Sequence, residues 1–398
     1  MSLLCGPDTD RVPGWTTGSQ PHFPRFKEKC LQAWNAQNRS PRIAHAVKKK
    51  FGRYFITPVA TRWNSWHDSI EMMRDIMNRH GGEGLNELND LMEELIDKQD
   101  DRPDFTKKDR QIAEEYCLVM KSPCQALDDL QGDKVCHAGN LLPRLRQVQH
   151  HFETLAKHGK TDDNNKLIIP GSKVLHYTAE LLAHLTERFH FRFGALFKDE
   201  ELLLGTLIHP NFRYRWTKAC LIHEKTEADK ELKMNELKKK IVDQVYEKQM
   251  AEMQREERGE PEPEPTTVSP PKEAAASLAF LSDMVGLVEA PPAAPEADAL
   301  KNMVEDEFNR WVKATETREV PRPHHLPNDP VRGKFYIDLF MRYNTTLPSS
   351  ASVERVFSVA GDVLRAKRNR LSAEHVNRAI FLKQNASNLK SCNFDLEV

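Results

Sequence analysis

The chain has 398 residues, with 58 lysines and arginines against 59 aspartates and glutamates and a formal net charge of -1. This balance excludes a global field that would draw the protein to nucleic acid, so any such contact must come from local basic patches. The seven cysteines are odd in number and lack a Cys-x-x-Cys pair, which favours free thiols in a reducing compartment. No segment approaches 18 consecutive apolar residues, and residues 1–38 carry no apolar signal region. We therefore expect a soluble, non-secreted protein without a membrane contact.

Helical periodicity dominates residues 21–223, after a Gly/Pro/Thr-rich segment at 1–20 that we expect to be disordered. Pro41 starts a new helix, and Pro123 predicts a break between two later helices. Segments 56–200 show no convincing period-two alternation, so the predicted fold class is all-α with at most minor strands. The clearest apolar stripes are Ile70, Met73, Ile76 and Met77; Leu85, Leu88, Leu91 and Met92; Ile112, Tyr116, Val119 and Met120; and Leu181, Leu182, Leu185 and Phe189.

Two tryptophans, Trp63 and Trp66, lie three residues apart at the start of a predicted helix. That spacing places both rings on one helix face, where aromatic residues usually anchor a core. An aromatic face can also stack on an unstacked base, and Arg62 would suit a phosphate. Both interpretations of Trp63 stay open on the pattern alone.

Three segments follow. Residues 224–258 predict a charged helix with a thin apolar seam at Met234, Leu237, Ile241 and Val245, too short to indicate a coiled coil by itself. Residues 259–300 are rich in Pro, Glu and Ala and predict a disordered linker, since prolines lack donors and the acids repel one another. Residues 301–390 then form a C-terminal helical region.

The most informative stretch, residues 347–385, predicts a helix, a basic connector and a second helix. Gly361 interrupts the first apolar stripe and is expected to bend or loosen the helix there, and Ser372 caps the second helix. Two short amphipathic helices cannot bury both apolar stripes alone, so they need the rest of the chain, a second copy, or both. The apolar stripes are Val353, Val356, Phe357, Ala360, Val363 and Leu364, then Val376 and Ile380; the connector contains Arg365, Lys367, Arg368 and Arg370.

These residues resemble a known family. The run Ser350-Ala351-Ser352-Val353-Glu354-Arg355-Val356-Phe357-Ser358, followed by Lys367-Arg368-Asn369-Arg370-Leu371, is similar to the C-terminal dimerisation region of the hAT superfamily of DNA transposases. Thr61-Arg62-Trp63-Asn64-Ser65 and the run Cys124–Gly132 resemble landmarks of the helical insertion domain of that family. The resemblance implies that 301–390 pairs two subunits and that 21–223 is an insertion-like domain.

The resemblance also implies roles for single residues. Glu354 matches the last acid of a metal-binding Asp-Asp-Glu triad, although from pattern alone it is a solvated acid near a helix start. Trp63 matches a tryptophan that lies near the DNA end. The first two acids of the triad would sit on an RNase H-like core before Thr61, where only Asp8, Asp10 and Glu28 occur, none on a strand-like run. We therefore expect an incomplete RNase H-like core and an orphaned Glu354 that cannot hold a catalytic metal alone.

The resulting expectation is a truncated or domesticated hAT derivative that forms a homodimer, is not an enzyme, and needs no cofactor, metal or small-molecule substrate. The alternative is a non-catalytic DNA-binding regulator that uses Arg62, Trp63 and the 365–370 connector. An active transposase and a relic without function are further alternatives. Basic runs at Lys48-Lys49-Lys50 and 365–370 are either nuclear import signals or solvated faces, and a nuclear location is the expectation.

Overall fold

A computed structural model of the protein describes residues 22–59, 64–96, 102–132, 136–157, 177–258, 297–314, 325–327, 329–346, 351–364 and 372–391. The described residues form helices and no strand, which confirms the all-α class. The helices are α1 His22–Arg39, α2 Pro41–Phe51, α3 Ser65–Met77, α4 Gly84–Leu95, α5 Lys107–Leu130, α6 Leu141–Ala156, α7 Ala179–Phe193, α8 Glu200–Ile208, α9 Arg213–Cys220, α10 Glu227–Glu257, α11 Ala297–Val312, α12 Gly333–Asn344, α13 Ala351–Val363 and α14 Ala373–Ser391. None of the described helices is long and apolar enough to cross a membrane.

The chain divides into two compact units, residues 1–198 with 347–398 and residues 199–346. This division places α8 and α9, expected from the sequence to belong to the segment 21–223, in the second unit, where they pack with α10. The second unit also takes up 297–300, the last residues of the predicted linker, because helix α11 begins at Ala297 and Leu300 is buried. The rest of that linker, 259–296, lies outside the described residues.

The first unit is built on α5, which packs against α1, α3 and α6. Its start is fixed by a capping box, in which the Thr106 hydroxyl accepts from the Asp109 amide at 3.3 Å and the Asp109 carboxylate accepts from the Thr106 amide at 2.8 Å. Each predicted stripe faces the core: Ile70, Met73, Leu88 and Val119, for example, are all 1% exposed or less. Trp66 is half-buried, with its ring 5.6 Å from that of the buried Trp34.

Helix α5 continues through Pro123, so the predicted break there is wrong. A proline inside a helix leaves the carbonyl four residues earlier, here that of Val119, without its amide donor. The His151 ring of α6 lies beside this point, because its Nε2 is 2.9 Å from the Leu118 carbonyl oxygen. A side chain from a neighbouring helix thus donates to the carbonyl directly before the one that proline leaves without its amide donor.

The second unit is organised around α10, whose seam Met234, Leu237, Ile241 and Val245 is completely buried. The seam is covered within the chain, because α8, α11 and α12 all pack on α10. On α11 the buried residues Leu300, Val304, Phe308 and Val312 recur every four positions. A nearly buried ion pair, Arg332 to Glu307 at 2.8 Å, links α11 with the start of α12.

The hydrogen bond from His151 predicts a measurable coupling with Pro123. We expect His151→Phe to lower the free energy of unfolding by about 1 kcal/mol more in the natural background than in the Pro123→Ala background. Alanine restores the amide to the Val119 carbonyl, so the helix around residues 118 and 119 then depends less on the ring as a donor. Urea denaturation of the four proteins measures this difference, and an equal cost in both backgrounds would contradict the assignment.

The same residue predicts a pH dependence. Burial lowers the pKa of His151 from its ordinary value of 6.5, an effect that the backbone hydrogen bonds oppose. Because the folded state prefers the neutral ring, this contribution to stability is present above the ordinary pKa and is lost as the pH falls through the lowered one. We expect His151→Phe to lose less stability than the unaltered chain between pH 7 and about pH 5.

Candidate dimerisation surface

Helices α13 and α14 pack on each other as a helical hairpin within the first unit. Val363 and Val376 are buried, at 5% and 8% exposure. The Ser372 hydroxyl accepts from the His375 amide at 3.4 Å and so caps α14, as the sequence predicts. Helix α13 runs through Gly361 as an unbroken helix, and a Cβ added there would meet nothing within 4 Å. Gly361 thus lies inside one helix, and the bend or loosening expected there stays a prediction.

The hairpin carries large apolar side chains that the described part of the chain leaves exposed. Phe357 and Val356 on α13 are 68% and 36% exposed, and Leu364, directly after α13, is 56% exposed. Phe381 and Leu382 on α14 are 62% and 55% exposed. We call these five residues the hairpin surface. Isolated exposed apolar residues are common, but several on one small element are typical of an interaction site.

The hairpin surface differs in part from the residues predicted to contact a partner. Val356, Phe357 and Leu364 are exposed, whereas Val363 and Val376 are buried inside the chain and Ala360 and Ile380 are half-buried. The side chain of Val353 lies outside the described residues. Phe381 and Leu382 are not among the predicted residues, because they lie off the stripe of Val376 and Ile380. The sequence indicates them only through the presence of apolar residues on several faces of one helix.

Arg355 ties the hairpin to the rest of the first unit. Its guanidinium donates to the Gln131 carbonyl at 3.0 Å, directly after the last residue of α5. A cation at a helix C-terminus is favoured by the helix dipole and by the free carbonyls there. Glu354, its neighbour, is exposed. Among the described residues, no group of three or more His, Cys, Asp or Glu side chains could hold a metal ion.

The residues predicted to touch DNA, Arg62, Trp63, Arg365, Lys367, Arg368 and Arg370, lie outside the described residues. The positions next to Trp63 are described. Asn64 is buried, and its amide donates to the Cys124 carbonyl at 2.9 Å and to the Asp128 carboxylate at 2.6 Å. Burial raises the pKa of the Asp128 carboxyl, and the bond from Asn64 lowers it. Two stretches that separately resemble hAT landmarks are thus joined by one side chain.

Comparison with known families identifies part of this region. The model of the hAT family C-terminal dimerisation region matches residues 338–386, which include part of α12, all of α13 and most of α14. No curated protein matches the chain. Fold and match together define an all-α protein with a dimerisation region. Residues 338–386 are thus similar to the hAT C-terminal dimerisation region, and the resemblance drawn from residues 350–371 is confirmed.

The contacts of Asn64 predict a structural cost for its removal. We expect Asn64→Ala to lower the free energy of unfolding by about 1–3 kcal/mol, because the buried Cys124 carbonyl and the Asp128 carboxylate lose a hydrogen-bond donor. Asn35→Ala, on an exposed position of α1, is the matched control and should change stability by less than about 0.5 kcal/mol. Urea denaturation followed by circular dichroism compares the three proteins. An Asn64 variant as stable as the control would contradict a structural role.

Proposed function

We propose that the chain functions as a homodimer formed through the hairpin surface. The observation that carries this proposal is the 68% exposure of Phe357 together with four further exposed apolar residues on the same hairpin. Apolar area removed from water stabilises by about 25 cal/mol per Å², so pairing this surface is favourable. A second copy presents the same patch, and two such patches close a two-fold dimer without leaving one uncovered. The match to a dimerisation region favours a second copy over an unrelated partner.

We further propose that the chain does not cleave DNA. Two-metal phosphodiester chemistry needs several carboxylates that converge on ions about 4 Å apart. Before Thr61 the sequence offers Asp8, Asp10 and Glu28, and none of them lies on a strand-like apolar run. Glu354 would then be a third ligand without its partners. Metal-dependent nicking of DNA by the purified chain would contradict this proposal.

A second candidate function is a non-catalytic DNA-binding regulator that acts in the nucleus. The observation that favours it is a long acid-free segment: between Glu28 and Asp68 the sequence holds eight lysines and arginines and no aspartate or glutamate. Such a segment creates a local positive field despite the net charge of -1. The segment includes Lys48-Lys49-Lys50 and ends just beyond Arg62 and Trp63.

Phe357→Asp tests the dimer directly. We expect the unaltered chain to have a mass near twice 45.8 kDa and the variant to be a monomer at the same micromolar concentration. An unpaired charge buried in an interface costs several kcal/mol, whereas in the monomer this position is already in water. Light scattering across a concentration series measures both masses.

Phe191→Asp is the matched control, since Phe191 is 89% exposed on α7 and does not belong to the hairpin surface. This variant should dimerise like the unaltered chain, and both variants should unfold at similar denaturant concentrations. A monomeric unaltered chain, or a Phe357 variant that still pairs fully, would show that the hairpin surface is not the interface.

A further inference from the structure

We propose that the exposed face of α2 binds the sugar–phosphate backbone of DNA. The α2 basic face consists of Arg42, His45 and Lys49, with Lys48 and Lys50 on either side, and all five are exposed. The opposite side of the helix holds Ile43, Val47 and Phe51, which are 9% exposed or less. The inference deepens the second candidate function and is independent of dimerisation.

The helix that carries this face is well defined at both ends. The Ser40 hydroxyl accepts from the Ile43 amide at 3.4 Å, Pro41 occupies the first turn, and Gly52 follows the last residue with a φ of 81°. Arg42 and Lys49 are seven residues apart, or two turns, which is about 10 Å along the helix axis. Four successive phosphates of one DNA strand, spaced about 3.4 Å apart along the duplex axis, span a similar axial distance.

Among the described residues, the lysines and the arginine of this face have no partner for an ion pair. Within the described part of the chain, no carboxylate lies within 4.0 Å of Arg42, Lys48, Lys49 or Lys50, and Arg53 approaches Asp75 only to 3.9 Å. On α10 the lysines are matched instead: Lys230 pairs with Glu227 at 3.0 Å and Lys233 with Glu236 at 2.9 Å. An ordinary solvated helix face has the α10 pattern of alternating charge.

Helix stability does not account for the charge. Lysines 48–50 lie in the last turn, where the helix dipole favours cations. Arg42 lies in the first turn, where the dipole disfavours a cation, and no acid occupies that turn. Neighbouring bases at positions 45, 48 and 49 also repel one another. An unfavourable arrangement of this kind is explained by an anionic partner that neutralises it.

Tyr54, in the segment after α2, adds a phenol that is held in place beside the α2 basic face. The Gln37 amide holds the Phe55 backbone on both sides, accepting from its N–H at 2.7 Å and donating to its carbonyl at 3.1 Å. Phe55 is buried, and its neighbour Tyr54 is 50% exposed with the Lys48 ammonium 5.1 Å from its ring centre. Lysine, arginine and tyrosine are side chains that contact DNA phosphates.

The experiment measures binding of the full chain to a labelled 20-base-pair duplex by fluorescence anisotropy, from about 50 to 200 mM salt. The test variant is Arg42→Glu with Lys49→Glu, and the control is Arg192→Glu with Lys239→Glu, which makes the same charge change at exposed positions of α7 and α10. A neutral pair, Arg42→Gln with Lys49→Gln, guards against misfolding, and circular dichroism must show the same helix content in all four proteins.

We expect the test variant to bind at least tenfold more weakly at 50 mM salt, equally for two unrelated duplex sequences. The slope of log K against log salt should fall by about 2, because each lost phosphate contact contributes about 0.9. The neutral pair should lie between the test variant and the unaltered chain, and the control should stay within about threefold.

Two results would overturn the inference in different ways. If the chain binds the duplex but only Trp63→Ala weakens this binding, the α2 basic face is not the DNA-binding surface, while the second candidate function survives. If the unaltered chain does not bind the duplex at 50 mM salt, both fall. In that case, nuclear accumulation of a fusion protein carrying residues 39–54 would identify an acidic import receptor, and not DNA, as the partner of these lysine and arginine side chains.

Discussion

Helix α5 is the element to which the other helices of the first unit are tied by polar contacts. Five polar contacts are spread along it, and each partner comes from a different part of the chain. In order along α5 they join Lys29 to Asp109, the Tyr177 and Thr178 amides to Glu115, His151 to Leu118, Asn64 to Cys124 and Arg355 to Gln131. Because these contacts are directional, they fix the rotation and register of neighbours that apolar packing alone would let slide.

The Glu115 contact shows how demanding this arrangement is. Its carboxylate is 3% exposed and accepts from the Tyr177 and Thr178 amides at 2.8 and 3.1 Å and from the Thr178 hydroxyl at 3.2 Å. A buried carboxylate is tolerated only when its oxygens are satisfied in this way. The start of α7 is therefore held where its free amides meet a negative charge.

Sequence periodicity predicted the core of this unit because burial of a helix face is a local property. The spacing of apolar residues alone assigns residues such as Met73 and Val119 to the buried face of their helix. Pro123 could not be interpreted in the same way, since the ring that donates to the neighbouring Leu118 carbonyl belongs to His151, 28 positions after the proline. The position of Asn64 likewise becomes clear only from the fold, which brings Cys124 and Asp128 to it.

The hairpin surface illustrates a second limit of sequence patterns. Val363 and Phe357 belong to one predicted stripe, yet six residues place them about 120° apart around the helix. One edge of the stripe is buried within the chain and the other is free. A stripe this wide can contact both a helix of the same chain and a second partner. The position of the neighbouring helix determines which residues stay exposed for that second partner. Contacts within the chain therefore use one edge of the stripe and leave the other edge for the second copy in the dimer that we propose.

Net charge was equally uninformative about local fields. The chain is nearly neutral because its acids are concentrated elsewhere, for instance on α10, while residues 29–67 have none. Charges separated by more than about 8 Å are screened at physiological salt. A phosphate near α2 therefore interacts with the lysine and arginine side chains there and not with the net charge of the whole chain. A two-fold dimer would carry this face twice, and two weak backbone contacts on one duplex reinforce each other when the geometry allows both to engage. Pairing through one surface can thus raise the affinity of another without any contact between them.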